Sequence, residues 1–203
     1  MNDDFDKFLS IDNFPASQLK VKGSKFVAHA FPVSNQGDVK KFIDQTKKKF
    51  FDATHHCFAY RIRSNDQILV KIGDAKEPKG TAGEHILSGI KAKNLFNILV
   101  VVTRYFGGTK LGKGGLSRTY HQSAKDVLEK CRIVEKSLSE EYSIVFPISL
   151  VGKVSQILDK FDAEVLKRDL KSEGRMKIRS RLSQSQRLKE ALIETTGGQI
   201  KFG

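Results

Sequence analysis

Between residues 104 and 118 the chain reads RYFGGTKLGKGGLSR, which holds five glycines and four basic side chains, Arg104, Lys110, Lys113 and Arg118, and no acid. Gly107, Gly112 and Lys113 have the spacing of G-x-x-x-x-G-K-[ST], the loop whose amides cradle nucleotide phosphates. Gly114, however, stands where that motif needs the hydroxyl that ligates magnesium. The nearest carboxylate at the end of an apolar strand is Asp74, after ILVKIG. Nucleotide hydrolysis is therefore not expected, and what remains is the chemistry of an anion site. Glycine lets the backbone approach a phosphate that a β-carbon would obstruct, and a helix opening after the loop adds free amides and a positive dipole end. The expected anion-binding residues are Arg104, Gly107, Gly108, Lys110, Gly112, Lys113, Gly114, Gly115 and Arg118, helped by Lys76 and Lys79.

Other residues invite chemistry less strongly. His55-His56-Cys57 alternates across a strand, so His55 and Cys57 could share a ligand while His56 could not. No further Cys or His at ligand spacing completes a metal site, and none is assigned. Asp74 and Glu77 could form a carboxylate pair, although Lys76 and Lys79 beside them suggest a solvated ion pair. No Ser-His-Asp or Cys-His arrangement is fixed by the sequence, including at His29, His85 and His121, and no catalytic residue or cofactor is assigned. Further along, RMKIRSRL alternates so that Arg175, Lys177, Arg179 and Arg181 share one face and Met176, Ile178 and Leu182 the other. Lys167 and Lys171 could extend that cationic face. The aromatics that stack bases in RNA modules are missing from it, so backbone contact without base readout is the expectation.

The elements that must position these residues follow from periodicity. Residues 24–33 read as a strand, 36–50 as an amphipathic helix, and 55–62 with 67–72 as a hairpin turning at Ser64-Asn65-Asp66. Thr81-Ala82-Gly83-Glu84 has the form of a capping box opening a helix that carries Ile86, Leu87 and Ile90. NILVVVT suits a strand buried on both faces, and Leu116, Tyr120, Ala124, Val127, Leu128 and Cys131 recur at helical spacing after the glycine loop. After a break near 133–139 the order becomes strand EYSIVF, helix 149–160, strand AEVLKRDL, a turn at Gly174, strand RMKIRSRL, helix 184–195 and GGQIKF. That β-α-β-β-α-β order is ferredoxin-like. The expected class is α+β, with an N-terminal extension at 1–19, a first domain at 20–134 and a ferredoxin-like domain at 138–203.

The whole chain has 203 residues and a formal net charge of +13. Residues 1–134 carry 23 basic and 13 acidic side chains and residues 135–203 carry 13 and 10, so both parts are basic. A polyanionic partner is the default for such a balance. The acidic start MNDDFD is unlike a signal peptide and the longest apolar run is Ile98 to Val102, so no membrane association and a cytoplasmic location are expected. Two cysteines, Cys57 and Cys131, with no C-x-x-C, fit a reducing compartment and core positions.

The segments KGSKFVAHAFPV (22–33), DATHHCFAYRI (52–62), EPKGTAGEHIL (77–87) and NILVVVTRYFGGTKLGKGGLSRTY (97–120) resemble the IMPACT (YigZ) family. The resemblance implies a two-layer first domain similar to the second domain of ribosomal protein S-five and to GHMP-type kinases. It also implies a ferredoxin-like second domain similar to the last domain of the translocation elongation factor. For bacterial members it implies association with RNA or the ribosome; the role of eukaryotic relatives in the starvation response depends on an additional domain and is not carried over. The family pattern D-D-G-E-P is altered here to Asp74-Ala75-Lys76-Glu77-Pro78, which loses an acid and a glycine and gains a cation. The expected function is thus non-enzymatic binding of RNA or a ribonucleoprotein in the regulation of translation. The alternatives are an enzyme on a small phosphorylated substrate or nucleotide, using Glu77, Asp74 or His55 as acid or base, and a protein–protein adaptor. The oligomeric state is not legible.

Overall fold

The apolar run after Asn97 forms a strand, Ile98–Tyr105, in which all residues but the last are buried. It lies at the centre of a five-stranded sheet because branched side chains on both of its faces must be covered. A computed structural model describes residues 5–65 and 67–203, so Asp66 of the expected hairpin turn lies outside the described residues.

The elements run β1 (Lys7–Ile11), β2 (Ala16–Val21), β3 (Ser24–Pro32), α1 (Gln36–Lys49), β4 (His55–Arg63), β5 (Ile68–Gly73), α2 (Gly83–Ala92), β6 (Ile98–Tyr105), α3 (Gly112–Leu128) and β7 (Ile133–Ser137). They continue with β8 (Ser139–Pro147), a short 3-10 turn, α4 (Val151–Lys160), β9 (Glu164–Leu170), β10 (Glu173–Arg181), α5 (Leu182–Thr195) and β11 (Lys201–Phe202). The described residues divide into two compact units, one within 8–136 and the other made of 137–203 together with 5–7. Segment 1–19 thus supplies β1 and part of β2, and β1 pairs with β7 in a separate two-stranded sheet. Among the described residues no helix is long and apolar enough to cross a membrane.

In the first unit the strand order is β2-β3-β6-β4-β5, antiparallel throughout. Side-chain alternation along β6 divides the packing between two layers. Ile98, Val100 and Val102 face α2 and α3 with Phe26, Ile86, Ile90, Leu116 and Tyr120. Leu99 and Val101 face the opposite layer with Val39, Tyr60 and Ile62, under α1. Asn35 caps α1, its Oδ1 accepting from the Asp38 amide at 3.0 Å, while Lys47, Lys48 and Lys49 favour its C-terminal dipole end.

The second unit is a four-stranded antiparallel sheet in the order β11-β8-β10-β9, with α4 and α5 packed on one face. This is the α+β, ferredoxin-like arrangement expected for it. Two details differ from the sequence reading. Gly174 lies inside β10, opposite Phe146, and a β-carbon there would overlap the Phe146 ring; the turn is at Lys171-Ser172. Leu182 begins α5 instead of extending the strand face.

Candidate functional site

β6 delivers the chain into the glycine loop, and α3 begins at Gly112 with no side-chain cap on its first amides. Gly108 and Gly112 take φ values of +84° and +68°, a left-handed backbone that disfavours any β-carbon. Gly107 is required for a different reason: a β-carbon there would run into the backbone of Gly23 in the β2–β3 turn. The Gly107 amide donates to Ser24 Oγ at 3.1 Å, fixing the loop against the start of β3.

Lys110, Lys113 and Arg118 are exposed, and none makes an ion pair among the described residues. The Arg118 guanidinium folds back over Gly114, where it would be 3.6 Å from an added β-carbon. Beside it runs a groove of about 400 Å³ lined by Lys22, Gly115, Arg118 and Gln122 over Leu19 and Leu111. The uncapped start of α3 and the Arg118 guanidinium thus border an open groove, and Lys110 and Lys113 are exposed on the loop that leads into that helix. Gly114 in the first turn offers no hydroxyl for a metal ion.

Arg104 does not join these exposed cations. It is 4% exposed, and its Nη1 donates to Glu77 Oε1 at 2.6 Å; Glu77 is itself 8% exposed. The same Oε1 accepts from the Tyr120 hydroxyl at 2.8 Å. His55 Nε2 stands 3.7 Å from Glu77, with Nδ1 2.9 Å from the Ala75 carbonyl oxygen. Cys57 Sγ lies 3.0 Å from the Asp74 carbonyl oxygen and 3.4 Å from the Tyr120 oxygen. Burial pushes the Cys57 thiol up to about 12 and the Tyr120 phenol well above its ordinary range. Burial thus favours the protonated form of both groups and disfavours a thiolate at Cys57. Sequence reasoning missed this cluster because its members come from β4, the 74–77 turn, β6 and α3, and meet only in the fold.

The turn carrying Glu77 is closed by its amide donating to the Asp74 carbonyl at 2.8 Å, with φ of +46° at Ala75 and +71° at Lys76. Lys76 occupies the place where the family pattern has glycine, so an L side chain takes the left-handed conformation. The expected capping box does not form: the Thr81 hydroxyl donates to the Pro78 carbonyl and α2 has no cap from its preceding residue. Asp74 caps instead, Oδ1 accepting from the Ala82 and Gly83 amides at 3.2 and 2.8 Å and Oδ2 from Gly80 at 2.9 Å. Asp74 is therefore structural. Lys76 and Lys79 are exposed on this turn, whose Glu77 reaches Arg104 beneath the glycine loop.

In the second unit Arg175, Lys177 and Arg179 share the face of β10 opposite Met176 and Ile178. Their charge is largely answered in place. Lys177 and Arg179 each lie 2.7 Å from Glu141, Arg179 also 2.7 Å from Glu164, and Arg175 3.0 Å from Glu173. Arg181, at the end of the strand, is exposed. This stripe thus differs from Lys110, Lys113 and Arg118 of the glycine loop, which make no ion pair among the described residues.

The Impact N-terminal domain model matches residues 22–128, which contain the glycine loop, the Glu77 turn and the buried cluster. The chain is 38% identical to IMPACT family member YvyE of Bacillus subtilis over 141 residues, 70% of this chain and 64% of that protein. It is 34% identical to an IMPACT family member of Thermus thermophilus over 140 residues, 68% of this chain and 73% of that protein. A crystal structure of a hypothetical protein superposes with a TM-score of 0.76 at 22% identity, covering 98% of this chain and 97% of the other, a likeness of fold alone. The match over more than half of the chain, on the residues that build the loop and its support, places this protein in the IMPACT family.

Proposed function

We infer that the protein is a non-enzymatic binder of RNA or a ribonucleoprotein, acting in the regulation of translation and gripping phosphates through the glycine loop. The observation that carries this reading is the company Lys110, Lys113 and Arg118 keep: exposed, without ion-pair partners among the described residues, beside the open amides of α3 and a groove of about 400 Å³. Side chains so placed neutralise phosphates and release counterions, so affinity falls steeply with salt. Lys76 and Lys79 would add to the same field, and the β10 stripe would give a weaker second contact through charges that its glutamates already screen. The role in translation rests on the family likeness, not on geometry.

The experiment is binding of a labelled RNA measured at several salt concentrations for the wild type and for Lys110→Ala/Lys113→Ala. The double variant should bind more weakly and lower the log–log salt slope by about 1.4 to 2, near one counterion per lost contact. Unchanged affinity and slope would reject the assignment. One observation favours a second reading, an enzyme on a small phosphorylated substrate: His55 and the buried Glu77 carboxylate are 3.7 Å apart below the loop. Saturable thermal stabilisation by one nucleotide or sugar phosphate, with no retention on RNA, would support that reading.

A further inference from the structure

On the sheet face away from α2 and α3, one helix has to cover five strands. Strands lie about 4.8 Å apart and a helix with its side chains is about 10–12 Å wide, so α1 leaves part of that face bare. At the β2–β3 side the gap is filled by rings, Phe14 on Phe31 and Phe42. At the β4–β5 side it remains an open groove of about 510 Å³ between α1 and the sheet. This volume falls within the ~300–1,000 Å³ usual for ligand sites.

The groove has an aromatic floor and a cationic rim. Phe58 and Tyr60 lie parallel along β4, 6.4 Å between centroids and 6° between planes. Tyr60 is almost wholly buried, whereas Phe58 is only partly buried beside Gly73, whose missing β-carbon makes room for its ring. Lys40 and Lys47 stand one above the other along α1, and Lys71, directly across from Tyr60, closes the far side from the edge strand β5. Asp44 is the one acid in the lining. None of these lysines makes an ion pair among the described residues, in contrast to the β10 stripe.

We propose that this groove binds single-stranded RNA, with an unpaired base stacked on Phe58 and the phosphates on either side of it held by Lys40, Lys47 and Lys71. Aromatic floors flanked by free cations suit unpaired bases, because every base offers a π-face and a duplex hides it. An acidic peptide would satisfy the lysines but leave the Phe58 ring without a flat partner. The inference rests on RNA being the partner, as read above, and adds a site on a different face from α3 that selects single strands.

The test is fluorescence anisotropy of the full chain with a labelled twelve-nucleotide uridine strand and with a labelled RNA duplex of the same length. Phe58→Leu keeps an apolar filler and removes the π-face; it should weaken single-strand binding by about fivefold or more and leave duplex binding unchanged. Lys40→Gln/Lys47→Gln/Lys71→Gln, all on the surface, should lower the single-strand salt slope by about 2. Wild-type single-strand affinity in both variants would overturn the proposal, as would a poly-glutamate peptide that binds as tightly as the RNA and loses as much affinity on Phe58→Leu. The two readings separate cleanly. If Lys110→Ala/Lys113→Ala changes nothing while Phe58→Leu weakens binding, the loop assignment falls and the groove stands; the reverse pattern rejects the groove alone. Absence of any RNA binding rejects both.

Discussion

Arg104 Nη1 donates to Glu77 Oε1 at 2.6 Å, and the two side chains are 5% and 3% exposed. A charged pair so far from water is held by mutual compensation, and the Tyr120 hydroxyl supplies the additional hydrogen bond that such a pair needs. Removing one partner strands the other.

Glu77→Leu is accordingly expected to destabilise the protein by about 3–5 kcal/mol, because Arg104 is left charged and buried. Replacing both, as Glu77→Leu/Arg104→Met, should recover much of that loss. Urea unfolding of the single and double variants checks it, and strictly additive losses would contradict the pairing.

Lys76→Gly should stabilise the protein. An L residue in the left-handed region costs about 1–2 kcal/mol, and the extra freedom glycine has when unfolded returns about 0.4–1 kcal/mol of that. The expected net gain is about 1 kcal/mol, read as a higher urea midpoint at constant slope; a lower midpoint would mean that the turn is not strained at φ +71°.

Stability should fall on mild acidification through two histidines. Burial, and to a lesser degree Lys49, holds His29 below its ordinary 6.5, and burial with Lys47 does the same for His56. Since the folded values lie lower, the unfolded chain takes up protons first, so stability is full above about 6.5 and declines as pH drops below it. His29 stacks on Phe31 at 6.0 Å with Nδ1 buried and unpartnered, so His29→Phe should flatten this decline between pH 7.5 and 5.5, leaving the part due to His56. An unchanged pH slope would refute it.

Gly174→Ala should cost about 1–3 kcal/mol by pressing a methyl group into the Phe146 ring. Gly152→Ala, in α4 with nothing within 4 Å of the new carbon, is the control and should be neutral or stabilising. Equal effects at both positions would show that packing against Phe146 is not the cause.

Much of this was legible in the chain. The buried run of β6, the stripe of α3 and the alternation of Arg175 to Arg179 are set by local periods of 2 and 3.6, which a sequence displays directly. The misreadings have a shared origin in contacts distant along the chain. Gly174 resembles a turn residue until Phe146 is seen across the ladder. Thr81 and Glu84 resemble a capping box until Asp74 arrives from the end of β5 to take the amides. Arg104 resembles a surface cation because its neighbours Lys110, Lys113 and Arg118 are such; only the fold brings Glu77 beneath it. Lys40, Lys47 and Lys71 read as ordinary wet lysines, and nothing in their spacing reveals the ring they surround.

The Gly107 amide rests on Ser24, 3.5 Å from Arg104 Nη2, and Arg104 is in turn tied to Glu77. The surface segment is therefore moored to an interior charge, and it arrives at an encounter already shaped. Little ordering entropy would then be surrendered if the proposed phosphate-bearing partner docks there, so that rigidity would favour both quick capture and a longer stay.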